Sequence, residues 1–456
     1  MIDQINMATL TGQLIDKVLA VKYDALPAAA IDMAKQVTLD GIAVMLAGAT
    51  EPLGLGRIVT QYVKDSGGNP QASVIAGGFK TSMLNAAFAN GTMAHALDFD
   101  NTWHPLNHPT SPTLPAILAI AEHHSLGGRK IIESLVAAFE VQGRMRMAAT
   151  GLETGSGFHK PGTTGQFGAV TAAAKMLDLD RQQMLMAFGI AGSRAGSMSI
   201  NTGTMTKSSH SGHAARMGVE CAVLAKLGFT GSADVFGPKG FFDTFLFGRA
   251  EPHLLIENFG APFRMVDPGV GFKKHPSNYF THRPIDAALA LREQHQIKPE
   301  QIAQVEVVFP RFEYVNRPQP ETGLDGKFSV QYTTAVALLD GEITVDSFNN
   351  ERRFAHDVAA LLPKIALRFD DNIPNDFDLM HIDMTVTLID GCVFTRRVDK
   401  LSGWVGSPLT REQRLKKFHA CAQRVLAKDA ADSVVAFVEN LEQKQDVTEL
   451  MALARG

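Results

Sequence analysis

The segment IDMTVTLIDGCVFTRRV, residues 382–398, carries the pattern that decides between an all-helical and a mixed fold. Apolar and polar side chains alternate from Ile382 to Leu388, which is the two-residue period of a strand with one buried face. A second strand-forming run covers residues 393–398, and the Asp-Gly pair between the two runs is a strong hairpin signal. We therefore predict two antiparallel strands here.

A third strand is predicted upstream of this hairpin. Between residues 302 and 310, apolar side chains alternate with mostly polar neighbours in the same way. The apolar run 328–339 lies between this strand and the hairpin and is long enough for a helix. Residues 269–404 are therefore predicted to form a small α+β domain.

The chain on either side of this domain has the composition of helices. Ala, Leu and Met dominate as far as about residue 268, with Gly and Pro at the breaks. The predicted helices there cover residues 27–47, 84–97, 115–124, 131–149, 168–177 and 214–227. The tail, 411–442, is helical again and is expected to return to the first domain. The predicted fold class is mainly α, with a large all-helical domain (1–268 and 405–456) and the α+β domain (269–404).

Charge and cysteine content narrow the class of protein. The formal net charge of the 456 residues is −4, which gives no bulk electrostatic reason to expect nucleic acid or an anionic membrane as a partner. The three cysteines are far apart and odd in number, so no disulfide framework is predicted. No uncharged apolar stretch reaches about 18 residues, and the first residues do not resemble a signal peptide. We expect a cytoplasmic protein without a membrane span.

The segment DFDNTWHPLNHPT, residues 98–110, is the first candidate for chemistry. It places the carboxylates of Asp98 and Asp100 and the imidazoles of His104 and His108 within eleven residues. Histidine is the usual general acid or base, and a carboxylate can orient it. These residue types also bind metals, although the partner motifs of a zinc site are absent. A metal site and a plain polar loop stay open as alternatives.

Two further segments place cationic or proton-transferring side chains beside predicted helix starts. GFHKPGTTG, residues 157–165, carries His159 before a Gly/Thr loop, and the N–H groups of a helix N-terminus attract anions. GTMTKSSHSGHAA, residues 203–215, carries Lys207 and His210 just before an apolar helix, and a lysine there can neutralise a substrate carboxylate. Close glycine packing and a solvated loop lysine are the simpler alternatives.

The fourth segment, FKKHPSNYFTH, residues 272–282, lies at the predicted start of the second domain. It holds Lys273, Lys274 and His282, and a domain junction is a favoured place for a ligand cleft, although a solvated basic hinge is the alternative. All four segments are rich in cationic or proton-transferring side chains, although the chain as a whole is slightly acidic, which favours a local pocket for a small polyanion. The sequence contains no Walker loop, dinucleotide fingerprint or nucleophile elbow.

These segments resemble the MmgE/PrpD family, in the same order and over nearly the whole chain. The matching stretches are His95–Asp100, His108–Thr110, Gly157–His159, Gly203–His210, Lys327–Ser329 and Leu338–Gly341. Residues 98–105, 141–144 and 314–318 are most similar to the members that decarboxylate cis-aconitate. The resemblance implies a lyase for a small di- or tricarboxylate that uses no cofactor and no metal. It also implies a homodimer in which the α+β domain acts as a lid.

The resemblance further implies active-site roles for Asp98, Thr102, His108, His159, Lys207, Lys273 and Tyr314. His108, held by Asp98, is the expected proton-transfer group, and the two lysines and His159 are expected to bind carboxylates. Thr102 and Tyr314 are expected to orient the substrate.

Four other residues are predicted to bind substrate. Lys274, His210 and His282 come from the cationic segments themselves. Asn278 stands where a vertebrate decarboxylase of the family carries histidine, and asparagine cannot exchange a proton. The expected reaction is decarboxylation of cis-aconitate, with dehydration of methylcitrate or epimerisation of an amino-dicarboxylate such as iminodisuccinate as alternatives. A metal-dependent lyase and a carboxylate-binding protein without activity are the remaining alternatives.

Overall fold

A computed structural model describes residues 9–103, 107–149 and 157–456, and most of this chain is helical. His104 of the first candidate segment lies outside the described residues. The helices up to residue 246 are α1 (Leu10–Ala20), α2 (Ala28–Ala49), α3 (Leu55–Ser66), α4 (Met83–Ala94), α5 (Thr110–His123), α6 (Gly128–Ala148), α7 (Lys160–Met176), α8 (Arg181–Gly192), α9 (Met205–Lys226) and α10 (Phe241–Leu246). The helices after them are α11 (His282–His295), α12 (Gly323–Gly326), α13 (Val330–Asp340), α14 (Asn350–Arg353), α15 (His356–Leu361), α16 (Arg411–Ala422), α17 (Lys428–Glu439) and α18 (Thr448–Arg455).

The strands form two sheets. β1 (Ala72–Ser73) and β2 (Lys80–Thr81) make a small antiparallel pair, so the expectation of an all-helical first part is wrong in this detail. The main sheet contains β3 (Ile302–Phe309), β4 (Ile365–Phe369), β5 (Ile382–Leu388) and β6 (Val393–Val398), in the order β4-β3-β5-β6. The mainly helical fold class with a small sheet is confirmed.

The predicted hairpin is present as β5 and β6. The two strands pair antiparallel from Ile382–Val398 to Thr387–Val393, and Gly391 in the turn has φ +89°. A positive φ is costly for residues with a Cβ atom, which explains the glycine. Side chains along β5 alternate between buried and half-buried, as the sequence pattern predicts. β3 pairs antiparallel with β5 and parallel with β4.

The helices at the centre of the first part are buried on nearly every side. Every residue of α7 from Pro161 to Met176 is buried, and α5 is buried from Thr110 to Glu122. A helix without a solvent-facing stripe belongs to the core of a large bundle. Polar residues on these helices therefore face other helices rather than water.

Two segments predicted as loops are helical, which corrects the sequence analysis. α7 starts at Lys160 rather than at residue 168, and α9 starts at Met205 rather than at residue 214. The glycines that suggested loops allow close helix contacts: a Cβ at Gly165 would lie 3.2 Å from Pro112 Cγ of α5, and one at Gly212 would collide with Phe88 O of α4. Packing therefore overrides the low helix propensity of these stretches.

The apolar side chains form two clusters. The larger one joins the helices before residue 273 to Phe418, Cys421 and Val434 of the tail. The smaller one contains the inner faces of β3 and β5 together with side chains of α11 and α13. Among the described helices, none has both the length and the apolar character that a membrane span requires.

Candidate active site around Asp98

Asp98 lies in the turn after α4 and is buried, with a backbone φ of +50° that aspartate tolerates better than most residues. Lys207 Nζ, from the first turn of α9, donates to Asp98 Oδ1 at 2.6 Å. Lys273 Nζ donates to Asp98 Oδ2 at 3.0 Å, to the Asp98 carbonyl, and to Ser277 O at 3.2 Å. The structure thus brings together three predicted site residues from three distant segments.

The lysines differ in how many of their N–H groups are used. The three acceptors of Lys273 match the three N–H groups of an ammonium. Among the described residues, Lys207 Nζ has one hydrogen-bond acceptor, Asp98, so two of its N–H groups are left for a ligand. Burial alone would raise the pKa of Asp98, but the two ammonium groups hold that pKa well below its usual range.

His108 lies between two carboxylates. Its Nε2 atom is 3.6 Å from Asp98 Oδ1, and its Nδ1 atom is 3.1 Å from Asp100 Oδ1, although that contact is not aligned as a hydrogen bond. The side chain is 15% exposed, whereas the Asp100 side chain is fully buried. His108 is therefore the imidazole of this group that a ligand can reach while two carboxylates hold it.

His159 and His210 form a second imidazole pair beside this group. Their Nδ1 atoms are 3.0 Å apart, and the His159 ring lies 5.5 Å from that of His95. Burial lowers the pKa of His210 to about 4 and the pKa of His159 well below its usual value, with the charge of Lys207 acting in the same direction. Both rings are therefore neutral near pH 7, and one must donate to the other.

Thr102 and Tyr314 lie at the edges of the group. The Thr102 backbone pairs with Gly271 in both directions, N to O at 3.0 Å and O to N at 2.7 Å, which ties the Asp98 loop to the segment of Lys273. Thr102 Oγ1 is buried and, among the described residues, has no hydrogen-bond partner. Burial and the charge of Asp98 raise the pKa of Tyr314, so its phenol stays protonated and can donate to a ligand.

The remaining predicted binding residues contact other groups. Lys274 Nζ pairs with Asp286 at 2.8 Å, and its side chain is 40% exposed. His282 is fully buried, with Nε2 3.3 Å from Ser277 O. Asn278 donates its backbone N–H to Lys327 O, and its side chain accepts from Phe280 N at 3.1 Å. The structure does not bring Lys274 and His282 into contact with Asp98 or His108, and their binding roles stay predictions.

Three residues of this group were not among the predicted site residues. His95 Nδ1 lies 2.9 Å from Asp100 Oδ1, with both side chains fully buried. Lys327 Nζ donates to Ala96 O at 3.1 Å, and burial lowers the pKa of Lys327 to about 8. The available signal for His95 and Lys327 was that each is a titratable side chain inside a stretch that matches the family, with apolar neighbours on both sides. Asp100 belongs to the first candidate segment.

The same side chains have the chemistry of metal ligands. His95, Asp98, Asp100 and His108 each offer one ligand atom, and these atoms lie within 4.8 Å of one another. However, both carboxylate oxygens of Asp98 already accept from lysine ammonium groups. A divalent cation would have to displace those ammonium groups or stand next to them, and like charges at such distances repel strongly in a buried site.

Comparison with known proteins places the whole chain in one family. The MmgE/PrpD N-terminal domain matches residues 12–254, and the MmgE/PrpD C-terminal domain matches residues 275–443. The chain belongs to the MmgE/PrpD family. Residues 255–274 lie between the two matches, and Lys273 is in this stretch.

Relatives in the MmgE/PrpD family carry two kinds of name. Cis-aconitate decarboxylase of Mus musculus is 32% identical, with 99% of this chain and 94% of the relative covered. Its counterpart in Homo sapiens is also 32% identical, with 99% and 95% covered. The 2-methylcitrate dehydratase of Salmonella typhimurium is 27% identical over 78% of this chain and 77% of its own length.

Proposed function

We propose that this protein is a cofactor-independent lyase that decarboxylates cis-aconitate to itaconate. The observation that carries this proposal is the buried pairing of Lys207 with Asp98 beside His108, which combines an anion-binding cation with a proton-transfer group. The 32% identity to two decarboxylases along nearly the whole chain supports the same reaction.

The charge of the group suits an anion. Lys207, Lys273 and Lys327 bring three ammonium groups together, with Asp98, Asp100 and Glu51 as the carboxylates that act on them. The two N–H groups of Lys207 that no described residue uses carry the positive charge that is open to an anion. The neighbouring neutral imidazoles add no negative charge. A fixed positive charge in a buried site attracts a polycarboxylate and stabilises negative charge that develops during the reaction.

Decarboxylation of cis-aconitate needs both features. The bond between the methylene carbon and its carboxylate breaks, and CO₂ leaves. The electron pair forms a new double bond, while the former double bond shifts its pair to the carbon beside another carboxylate. A proton delivered to that carbon then completes itaconate.

The chain's residues divide this work. Lys207 offers its two remaining N–H groups to a substrate carboxylate, and Lys327, with one hydrogen-bond acceptor among the described residues, is a second donor. Lys273, whose N–H groups are used, holds Asp98 in place and adds positive charge. His108 delivers the proton from Nε2, since Asn278 cannot. Thr102 and Tyr314 donate hydroxyl hydrogen bonds that orient the substrate.

Dehydration of 2-methylcitrate is the second candidate. It needs a base that removes a proton next to a carboxylate and an acid that assists the departing hydroxide. The neutral pair of His159 and His210 offers a base, and the dehydratase relative at 27% identity supports this alternative. Epimerisation of an amino-dicarboxylate needs the same proton removal. The three reactions give different products, so identifying the product distinguishes them.

The deciding experiment is proton NMR of purified, chelator-treated protein incubated with cis-aconitate. Itaconate formation supports decarboxylation, whereas a hydrated tricarboxylate indicates the dehydratase reaction. An unchanged spectrum contradicts the proposal, and the same assay with methylcitrate and with amino-dicarboxylates then tests the alternatives. The Lys207→Met variant, run in parallel, controls for a contaminating enzyme.

We also propose a domain division and an assembly. Residues 1–268 with 405–456 form the helical domain and residues 269–404 form the α+β lid, which the two apolar clusters support. The homodimer and the cytoplasmic location remain predictions from the sequence and the resemblance. Light scattering on the purified protein tests the dimer.

A further inference from the structure

Asp100 lies between two imidazoles in the interior of the protein. His95 Nδ1 is 2.9 Å from Asp100 Oδ1 and 3.1 Å from Oδ2, and His108 Nδ1 is 3.1 Å from the same Oδ1. The side chains of His95 and Asp100 have no exposed surface, and the rings of His95 and His108 are 4.5 Å apart. Asp100 therefore faces the Nδ1 edge of both rings.

This geometry favours one protonation pattern of the rings. Although burial opposes ionisation, His108 and His95 hold the pKa of Asp100 well below its usual range. An ionised carboxylate only accepts hydrogen bonds, so it favours an Nδ1–H group on each ring that faces it. Nε2 of His108 is then the ring nitrogen left for proton transfer, and it lies 3.6 Å from Asp98 Oδ1.

We propose that Asp100 and His95 are positioning residues for His108. Asp100 keeps the proton of His108 on Nδ1 and stabilises the imidazolium, and His95 holds the Asp100 carboxylate in place. The inference rests on the proposed function, because it assumes that His108 Nε2 transfers the proton. This role explains why the fully buried side chains of His95 and Asp100 lie next to His108.

His95 is suited to this role by its charge. Burial lowers the pKa of His95 to about 4, so near pH 7 it is a neutral donor. The negative charge of Asp100 therefore remains available to a protonated His108. The partly exposed His108 ring can turn to align its contact with Asp100 when a substrate binds, since catalytic hydrogen bonds are often poorly aligned in unliganded proteins.

The first test replaces the acceptor with Asp100→Asn. The amide can present N–H instead of a carboxylate oxygen, which allows His108 to move its proton to Nε2. We expect kcat to fall about 10²- to 10⁴-fold, the range for a lost proton-transfer group, while KM changes little. A KM increase with unchanged kcat would contradict the proposal.

The second test determines the tautomer of His108 by ¹⁵N NMR of protein labelled at its histidines. The His108 signals are assigned as those that are missing from the spectrum of His108→Asn. The proposal requires that His108 Nδ1 carries a proton in the unsubstituted protein and loses it, at least in part, in Asp100→Asn. As a control for the spectrum, Asp286→Asn removes a different, partly buried contact between an imidazole and a carboxylate, that of His275 Nε2 with Asp286 at 3.0 Å. It should leave the His108 signals unchanged.

Two variants of His95 test the positioning role without changing Asp100, in case Asp100→Asn does not fold. His95→Asn keeps a side-chain N–H near the position of Nδ1 and should retain most of kcat. His95→Leu removes the donor and should lower kcat about 10- to 100-fold, the effect of losing a hydrogen bond to a charged group. Equal losses in the two variants would overturn the positioning role of the Nδ1–H group.

The experiments separate this inference from the proposed function. If the protein does not convert cis-aconitate but the tautomer depends on Asp100 as described, the reaction is wrong and the positioning stands. If itaconate forms but His108 carries no proton on Nδ1, or its tautomer is the same in Asp100→Asn, the positioning is wrong and the reaction stands.

Discussion

Lys207 and Asp98 form an ion pair in the interior of the protein, with Nζ 2.6 Å from Oδ1 and 9% and 4% of the two side chains exposed. The two residues are 109 positions apart in the sequence. A buried ion pair is weak evidence for stability, because removing both charges from water costs about as much as their attraction returns. The pair is better explained by function: it holds, in a largely buried site, an ammonium with two N–H groups that no described residue uses.

Lys207→Met tests this explanation. Loss of a charge-assisted hydrogen bond to a substrate carboxylate should lower kcat/KM about 10- to 100-fold. Steady-state kinetics with cis-aconitate measures the effect. The control is Lys226→Met at the far end of the same helix, where Nζ binds the Leu177 carbonyl at 2.8 Å. If both variants keep normal affinity and turnover, Lys207 does not bind the substrate.

His108→Ala tests the proton-transfer group. We expect kcat to fall about 10²- to 10⁴-fold with the fold unchanged, because among the described residues no other imidazole has its Nε2 beside Asp98. His295→Ala is a matched control, since His295 stacks on Phe394 of the sheet at 4.0 Å between ring centroids. Near-normal turnover of His108→Ala would show that another group delivers the proton.

Metal removal tests whether the lysine ammonium groups around Asp98 exclude a divalent cation. The four candidate ligands lie within 4.8 Å of one another, yet both oxygens of Asp98 accept from ammonium groups. We therefore expect full activity after treatment with a chelator and no bound metal by elemental analysis. Activity that disappears with the chelator and returns with one divalent cation would favour the metal-dependent alternative.

The fold was predictable where the pattern is local. The alternation along residues 382–388 and the Asp-Gly turn gave the correct hairpin, because both features depend on neighbouring residues. The loops predicted before residues 168 and 214 were wrong, because glycine there allows close contact with helices that are distant in sequence. Sequence spacing alone does not distinguish these two uses of glycine.

The site was predictable from its motifs but not in its connections. Asp98, His108 and Lys207 were identified from their segments and the resemblance, and the structure brings them together. The contact of His95 with Asp100 depends on how the turn after α4 bends back, which the sequence does not specify. Nor does the sequence indicate that Lys274 pairs with Asp286 instead of facing Asp98.

Lys327→Met tests whether the site is maintained at a cost in stability. Burial lowers the pKa of Lys327 from 10.5 to about 8, so keeping it charged destabilises the folded state by about 3 kcal/mol below pH 8. Between pH 8 and 10.5 the unfolded chain binds more protons than the folded protein, so this cost disappears as the pH rises. Lys327→Met should therefore increase the free energy of unfolding at pH 7 and lower kcat/KM.

Urea denaturation of both proteins at pH 7 and pH 10 measures this effect. The increase in the free energy of unfolding caused by Lys327→Met should be larger at pH 7 than at pH 10. The Ala96 carbonyl loses its hydrogen bond in this variant, which should reduce the increase by a similar amount at both pH values. Lys226→Met, which changes an exposed lysine, should show no such dependence. If the two proteins differ in free energy of unfolding by the same amount at both pH values, burial of charged Lys327 does not destabilise the folded protein. Its role in binding the substrate would then need another explanation.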